Sequence, residues 1–499
     1  RPRGAIPRDA RPMTVERTML APGLEISRII TGLWQVADIE RGGGRMDATA
    51  AAGELGRYAS AGYTTFDLAD HYGSAEDIVG AFMASGRAGP RCRFFTKWVP
   101  APGPVTREIV RAAVDRARER MRSDRVDLMQ FHAWTFAHPG WLDALLYLAE
   151  EQQGGRITHL GVTNFDTAHL RIAVESGIPI VSNQVSFSLL DRRAAGAMSE
   201  YCIAKGVRLL AYGTVAGGWL SERWLGAKEP DWERTGTWSQ MKYGRFLRVA
   251  GGWGALQRLL GALAPIAERR GVSIANVASR AVLEMPAVAG VIIGARLGER
   301  EHRDENARLF TLTLDDRDRK EIAAALATLH PLPGDCGDEY RHAPYLTASG
   351  DLSHHLSRFP PPYPTERGAS GREIALSGTA WESAAGFARA VRIGDRVLVS
   401  GTTATHGTRA IGGSDPAAQA HFAIDKIEGA LHSLGARLDQ VVRTRVYVRR
   451  MEDWEAVARA HGERFGAIRP ANTLVRADLV GDAYLVEIEA EAVVEADRH

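Results

Sequence analysis

Four side chains carry the strongest chemical suggestion in this sequence. Asp67, Tyr72, Lys97 and His132 end or closely follow short apolar runs at 65–69, 93–98 and 126–132. An acid, a phenol, an ammonium and an imidazole would thus arrive at one rim from three adjacent segments. A phenol is a weak acid near neutral pH unless something stabilises the phenolate. A neighbouring ammonium, itself held by a buried carboxylate, does so by direct charge interaction. Such a set can protonate a carbonyl oxygen while a hydride attacks its carbon. Tyr72 would be the acid, Lys97 the cation that lowers its pKa, Asp67 the counter-ion, and His132 a donor orienting the substrate oxygen. Singly, each has an ordinary structural role: a hydrogen-bonded buried carboxylate, an ion-pair partner, a rim histidine. Their order and spacing at strand ends set the four apart.

Positioning these groups requires a scaffold, and the hydrophobic pattern supplies one. Eight apolar runs, at 26–34, 65–69, 93–98, 126–132, 157–164, 180–187, 207–213 and 290–295, alternate with longer amphipathic stretches. In 105–121, for example, Ile109, Val110, Ala113, Val114 and Ala117 recur at helical spacing. The β-branched content of the runs predicts strands buried on both faces of a parallel sheet. Strand and helix repeated eight times over about 300 residues predict a (β/α)8 barrel, whose working groups lie at the C-terminal ends of the strands. A six-stranded doubly wound sheet would leave two runs over, and no G-x-G-x-x-G follows the first run. Gly251-Gly252-Trp253-Gly254 lies late and is expected to be a turn. The long stretch 217–250 carries Trp219, Trp224, Trp232, Trp238, Tyr243 and Phe246. Most of these are expected to pack the loop onto the barrel. Two or three would line a pocket for an apolar substrate, walled also by Trp34, Trp98 and Trp134.

The texture changes after the helical pattern 315–329. Residues 331–370 include Phe359-Pro360-Pro361-Pro362-Tyr363-Pro364 and predict a Pro-rich, semi-rigid linker, with docking on its neighbours left open. The pair His354-His355 within it is expected to be solvated rather than metal-binding. From 371 to 499 the pattern predicts an α+β unit with strands at 389–392, 396–403, 441–449, 473–479 and 484–493 and helices at 416–434 and 454–465, the helices on one face. In its last strand Val486, Ile488, Ala490 and Ala492 alternate with Glu487, Glu489 and Glu491. Residues 1–19, basic and Pro-punctuated, predict a disordered arm. The 499 residues include 62 basic and 60 acidic side chains, a net charge of +2, which offers no footprint for nucleic acid or an anionic membrane surface. The apolar stretches are too short to span a bilayer. Cys92, Cys202 and Cys336 are far apart and form no C-x-x-C pair, so neither a disulfide framework nor a metal site is expected, and a reducing, cytoplasmic setting fits best.

The residues at 20–330 resemble the aldo-keto reductases. The likeness is carried by Gly32-Leu33-Trp34, Asp67 with Tyr72-Gly73, Thr96-Lys97, Asp127-Leu128 with His132, Gly161-Val162-Thr163-Asn164-Phe165, Asn183-Gln184-Val185, Ala211-Tyr212, Gly294-Ala295-Arg296 and Glu305-Asn306. The resemblance implies a TIM barrel and a catalytic tetrad of Asp67, Tyr72, Lys97 and His132. It also implies a cofactor site that includes Gly32 and Trp34. Thr163, Asn164 and Gln184 would hydrogen-bond a nicotinamide carboxamide and Tyr212 would stack on its ring. Arg296 and Asn306 would face the adenosine end. A guanidinium suits the 2′-phosphate of NADPH; His302 stands where many members have a second basic residue, which leaves NADH open. Leu68 replaces the usual Thr.

Residues of about 380–495 resemble the reactive-intermediate deaminases, the YjgF-like or Rid family. Here the likeness lies in Val397 to Thr402, Val441 to Val448, Phe465-Gly466, Arg469-Pro470-Ala471 and Val486 to Glu489. The resemblance implies a chorismate-mutase-like α+β fold, subunits joined as a trimer or a hexamer, and hydrolysis of imines or enamines. Its candidate site residues are Glu487, which would position a water, Asn472, where active members have a carboxylate-clamping arginine, and Phe387, where a tyrosine is expected. Without that guanidinium an amino-acid-derived imine loses its bidentate anchor. Two functions follow. In one, the barrel reduces a carbonyl or imine with NADPH and the Rid-like unit processes a linked intermediate. In the other, the Rid-like unit is a trimerisation or ligand-binding module beside a plain aldehyde or ketone reductase. The intact tetrad argues against a barrel without catalysis.

Overall fold

In the computed structural model of the chain, residues 14–36, 46–231, 237–298, 302–342, 359–368 and 370–494 are described. Most of the basic arm, Trp232 and the pair His354-His355 lie outside them. The chain enters as a hairpin, β1 (Arg17–Ala21) and β2 (Leu24–Ser27), so Arg17 to Met19 are strand rather than part of a disordered arm. Leu20, Leu24 and Ile26 pack against Ile30, Phe95, Leu128 and Leu210 at one end of the barrel interior. Burying each such side chain contributes about 2 kcal/mol, enough to hold a short hairpin whose sequence alternates too briefly to announce itself.

Seven of the eight predicted runs contain a barrel strand, and the eighth, 290–295, overlaps one that begins two residues earlier. The strands are β3 (Ile29–Gly32), β4 (Thr65–Asp67), β5 (Arg93–Trp98), β6 (Val126–His132), β7 (Ile157–Thr163), β8 (Ile180–Ser186), β9 (Arg208–Tyr212) and β10 (Val288–Gly294). All pair in parallel, and β10 closes on both β9 and β3. The helices between them are α1 (Ala48–Ser60), α2 (Ala75–Ala84), α3 (Arg107–Met121), α4 (Gly140–Gln153), α5 (Thr167–Glu175) and α6 (Ala197–Lys205). Between β9 and β10 come α7 (Trp238–Val249), α8 (Gly252–Arg270) and α9 (Ile274–Leu283); α10 (Arg303–Ala307) and α11 (Asp316–Leu326) end the unit. The expected turn at Gly251–Gly254 is instead the start of α8, with Gly251 at its N-cap. The long aromatic stretch also holds a helix, α7. Trp219, Trp224, Tyr243 and Phe246 are buried among Leu247, Leu256 and Leu260, so these aromatics pack the stretch down.

The C-terminal unit is a seven-stranded sheet in the order β11 (Thr365–Arg367), β12 (Glu373–Ala375), β13 (Ala390–Ile393), β14 (Arg396–Thr403), β19 (Val486–Val493), β17 (Val441–Val448), β18 (Ala471–Arg476). Two short strands outside this sheet, β15 (Thr405–His406) and β16 (Arg409–Ala410), form a small hairpin. A short α12 (Ala380–Ala385) precedes β13; α13 (Pro416–Ser433) and α14 (Trp454–Phe465) cover one sheet face over Val397, Val399, Ile424, Ile427, Val446 and Ile488. The two units pack together. Helix α13 lies along α5, and Ala404, Ile411, Ala418 and Phe422 join the hydrophobic core of the barrel's helical shell. Among the described residues no helix is long and apolar enough to cross a membrane.

Candidate active site at the barrel mouth

Parallel strands in register bring successive C-terminal ends to one rim. The Leu33 amide donates to the Asp67 carbonyl at 2.9 Å, the Leu68 amide to Phe95 at 2.7 Å and the Asp70 amide to Lys97 at 3.0 Å. Gly32 lies where β3 and β10 approach closely, since a Cβ there would sit 2.8 Å from Ile292. Beside it the ring of Trp34 meets the Tyr72 ring edge-on at 5.1 Å.

The structure brings Asp67, Tyr72, Lys97 and His132 together. Lys97 Nζ donates to Asp67 Oδ2 at 2.8 Å and lies 5.0 Å from the centre of the Tyr72 ring. The other carboxylate oxygen of Asp67 accepts from Gln184 Nε2 at 2.7 Å and from Gln130 Nε2 at 3.3 Å. Burial works against the Lys97 ammonium, but the Asp67 carboxylate and the Tyr72 oxygen beside it outweigh it and its pKa rises. Tyr72 departs from the simplest expectation. Burial pushes its phenol up to about 12, and Asp67 and Tyr340 add to the rise; Lys97 pulls down without prevailing. The phenol is therefore held protonated. His132 is buried and its pKa lies well below the usual imidazole value, through burial first and the Arg341 guanidinium second. Its Nε2 is buried with no hydrogen-bond partner among the described residues. Its ring lies edge-on to Trp134 at 4.5 Å and to Tyr340 at 5.3 Å. Next to Trp134 a recess opens, lined by Pro100, Phe131, His138, Trp141 and Phe359.

The expected cofactor residues stand on the next strands. Thr163 and Gln184 are register partners on β7 and β8, and Ser186 pairs with Tyr212 on β9. Thr163 Oγ1 donates to the Gln184 carbonyl at 3.0 Å. Asn164 adopts a left-handed backbone, φ 58°, with its amide donating to Gln184. Arg296 Nε donates to Gln35 Oε1 at 3.1 Å, and Asn306, half-buried, stands on α10. The donor set suits a nicotinamide nucleotide: adjacent strand-end amides, a tyrosine ring and a rim guanidinium. Gln184 spends its NH2 on Asp67 and Gln130, which leaves its amide oxygen to accept.

Several groups at this mouth escaped the sequence reading. Asp335–Arg341, inside the expected linker, enters the mouth. Glu339, fully buried, accepts from Arg193 at 2.8 Å and from the Tyr212 hydroxyl at 3.1 Å. Arg341 donates to the Asn164 carbonyl at 2.8 Å and to the Ala133 carbonyl at 2.5 Å. Lys242 of α7 donates to the Tyr340 hydroxyl at 2.6 Å. No local pattern marks these residues, because their partners lie far away in sequence.

In the C-terminal unit Glu487 packs its carboxylate against Gly401, where a Cβ would overlap it. Its pKa is raised, by burial first, with Arg389 opposing. Phe387 is partly exposed, and the Arg389 guanidinium lies 5.9 Å from its ring. Asn472 donates to Thr444 Oγ1 at 2.9 Å. On the shared strand β17, Asn472 is in register with Thr444 and Glu487 with Tyr447, about 10 Å apart along the strands. Within one chain these two residues do not meet. Arg389, buried and donating to Thr402 Oγ1 at 2.7 Å, is a guanidinium whose charge acts on Glu487, and its type and spacing did not mark it in the sequence.

Comparison with known proteins gives two family matches along the chain. Residues 28–327, more than half of the chain, match the family model described as Aldo/keto reductase family, and residues 377–494 match that described as Endoribonuclease L-PSP, the group that includes the Rid proteins. An uncharacterised protein of Streptomyces coelicolor is 43% identical over 117 residues, 23% of this chain and 87% of its own length. Protein tas of Escherichia coli is 32% identical over 250 residues, 46% of this chain and 68% of its own. A solved glycerol dehydrogenase from Gluconobacter oxydans, 22% identical, superposes on 62% of this chain and 94% of its own with a TM-score of 0.51, a likeness of fold.

Proposed function

Because the chain belongs to the aldo/keto reductase family, whose members generally use NAD(P)H, we propose that it reduces a carbonyl compound at the barrel mouth with NADPH. The observation that carries this reading is the buried Lys97–Asp67 pair beside Tyr72, next to a His132 whose Nε2 no described group bonds. NADPH, when bound, supplies the hydride. Thr163, Asn164 and Gln184 would hold its carboxamide, Tyr212 its ring, and Arg296 with Asn306 its adenosine end; Gly32 and Trp34 would complete that side. His132, neutral because it is buried, orients the substrate oxygen without adding charge. Tyr72 keeps its proton until negative charge develops on that oxygen, because an alkoxide is a stronger base than a phenolate. Once the proton has moved, the phenolate stands beside the Lys97 ammonium, which Asp67 keeps charged. The test is NADPH oxidation across aldehydes, ketones and imines. Tyr72→Phe should lose at least 100-fold in turnover while still quenching protein fluorescence on NADPH addition. Full activity in Tyr72→Phe would refute the assignment.

We take 20–330 as the reductase unit, 331–370 as the connector and 371–499 as the Rid-like unit, in a cytoplasmic protein that assembles as a trimer or hexamer through the latter. A second reading, hydrolysis of a linked imine by the Rid-like unit, is favoured by Glu487, whose raised pKa suits a group that exchanges protons with water. Arg389 then stands in for the guanidinium missing at Asn472. The alternative, a module without turnover, is decided by Glu487→Gln.

A further inference from the structure

The connector reaches the catalytic rim through a directed chain of hydrogen bonds. Lys242 Nζ lies 2.6 Å from the Tyr340 hydroxyl, which lies 3.3 Å from that of Tyr212. Tyr212 in turn lies 2.7 Å from Asn164 Oδ1, and Asn164 Nδ2 lies 3.5 Å from His132 Nδ1. Chemistry sets the direction. An ammonium has only donors, so Lys242 donates to Tyr340. A carbonyl oxygen only accepts, so Tyr212 donates to Asn164. Glu339 Oε1 competes for the Tyr212 proton at 3.1 Å, the longer of the two contacts. With its one proton spent, Tyr212 receives from Tyr340 and, at 3.4 Å, from Lys242 itself. Asn164, whose oxygen faces Tyr212, presents its NH2 to His132 Nδ1, which must accept. In a neutral imidazole the proton then sits on Nε2. Nε2 is the buried atom that no described group bonds.

We propose that Tyr340 and Lys242 are positioning residues of the reductase site, which act through Tyr212 and Asn164 to fix the tautomer of His132 with its proton on Nε2. The connector is then part of the active site rather than a tether. Its seating is built for that: Arg193, 3% exposed, grips Glu339 and Asp191, and Arg341 bonds two carbonyls of the rim. The competing arrangement has the proton on Nδ1, directed at the nearby Thr163 carbonyl. The value of an Nε2 proton to catalysis rests on the reductase reading; the tautomer does not.

The experiment is long-range proton–nitrogen correlation on the full chain labelled at histidine nitrogen, with the His132 ring identified by its loss in His132→Gln. In wild type at neutral pH, Nε2 is expected to be the protonated nitrogen. In Tyr340→Phe and in Lys242→Met a measurable population should move to Nδ1–H, whereas Lys242→Arg, still a pure donor, should keep the wild-type pattern. Turnover should fall about tenfold in the first two variants and recover in the third, with the KM for NADPH changed less. Should Tyr340→Phe not fold, the two Lys242 variants decide alone. Wild type with its proton on Nδ1, or a ring signal unmoved in Lys242→Met, would overturn the proposal. Absence of reduction in every variant with the expected tautomers would instead count against the reductase reading alone.

Discussion

His169 sits where the two units meet and offers a sharp test of how they are held. Its Nδ1 lies 2.7 Å from both oxygens of Asp166, and its Nε2 lies 3.0 Å from Asp425 Oδ2 on α13. The ring stacks on Phe136 at 3.5 Å, and the far oxygen of Asp425 accepts from Arg464, which also binds Glu428. Arg341, 4.4 Å from the centre of the Phe136 ring, adds its charge near Asp166. Burial disfavours a charged ring here, but the two carboxylates outweigh it and raise the pKa from 6.5 to about 9. The side chain is only 6% exposed, so solvent screens the pair little. At 1.36 kcal/mol per pKa unit the rise corresponds to about 3 kcal/mol. Because the folded value is raised, this stabilisation is fully present below about pH 6.5 and is lost as pH rises through about 9. His169→Gln should therefore cost about 3 kcal/mol at pH 6 in urea unfolding, and the difference from wild type should shrink by about 1.4 kcal/mol per pH unit on the way to pH 9. Lys426, whose pKa burial lowers to about 7, titrates in the same window but is common to both proteins and cancels in the difference. A difference that stays flat from pH 6 to 9.5, or grows toward alkaline pH, would refute the reasoning.

Two further substitutions probe the connector and the second unit. Gly337 has φ 84°, and a Cβ there would overlap the Asn164 carbonyl oxygen; Gly337→Ala should lower stability by about 1–3 kcal/mol and reduce turnover, checked by denaturant midpoint and NADPH oxidation. Glu487→Gln should abolish imine hydrolysis while carbonyl reduction at the barrel continues unchanged. Hydrolysis that survives in Glu487→Gln assigns the Rid-like unit a structural or ligand-binding role.

Much of the barrel was legible because its information is local. Runs such as 93–98 and 126–132 are mostly apolar and buried on both faces, as a parallel strand covered by helices requires. Once the runs are strands, Lys97 and His132 stand at C-terminal ends without further assumption. The C-terminal strands and helices at 396–403, 416–433 and 454–465 were readable for the same reason. Less local features were missed. The turn expected at Gly251–Gly254 became a helix start because Leu256, Leu259 and Leu260 bury into the shell that follows. The pKa of Tyr72 rises rather than falls because burial, which spacing does not reveal, exceeds the pull of Lys97.

The sequence alone therefore determined which residue types arrive at the rim, and in what order, since strand period and chain direction decide both. Only the tertiary structure decided what closes that rim. Glu339 meets Arg193 across 146 positions, Tyr340 meets Tyr212 across 128, and Arg341 meets Asn164 across 177. Charges and hydroxyls so far apart in the chain follow no period. They find one another only after the apolar elements between them have packed, when burial makes each unpaired polar group costly enough to select its partner.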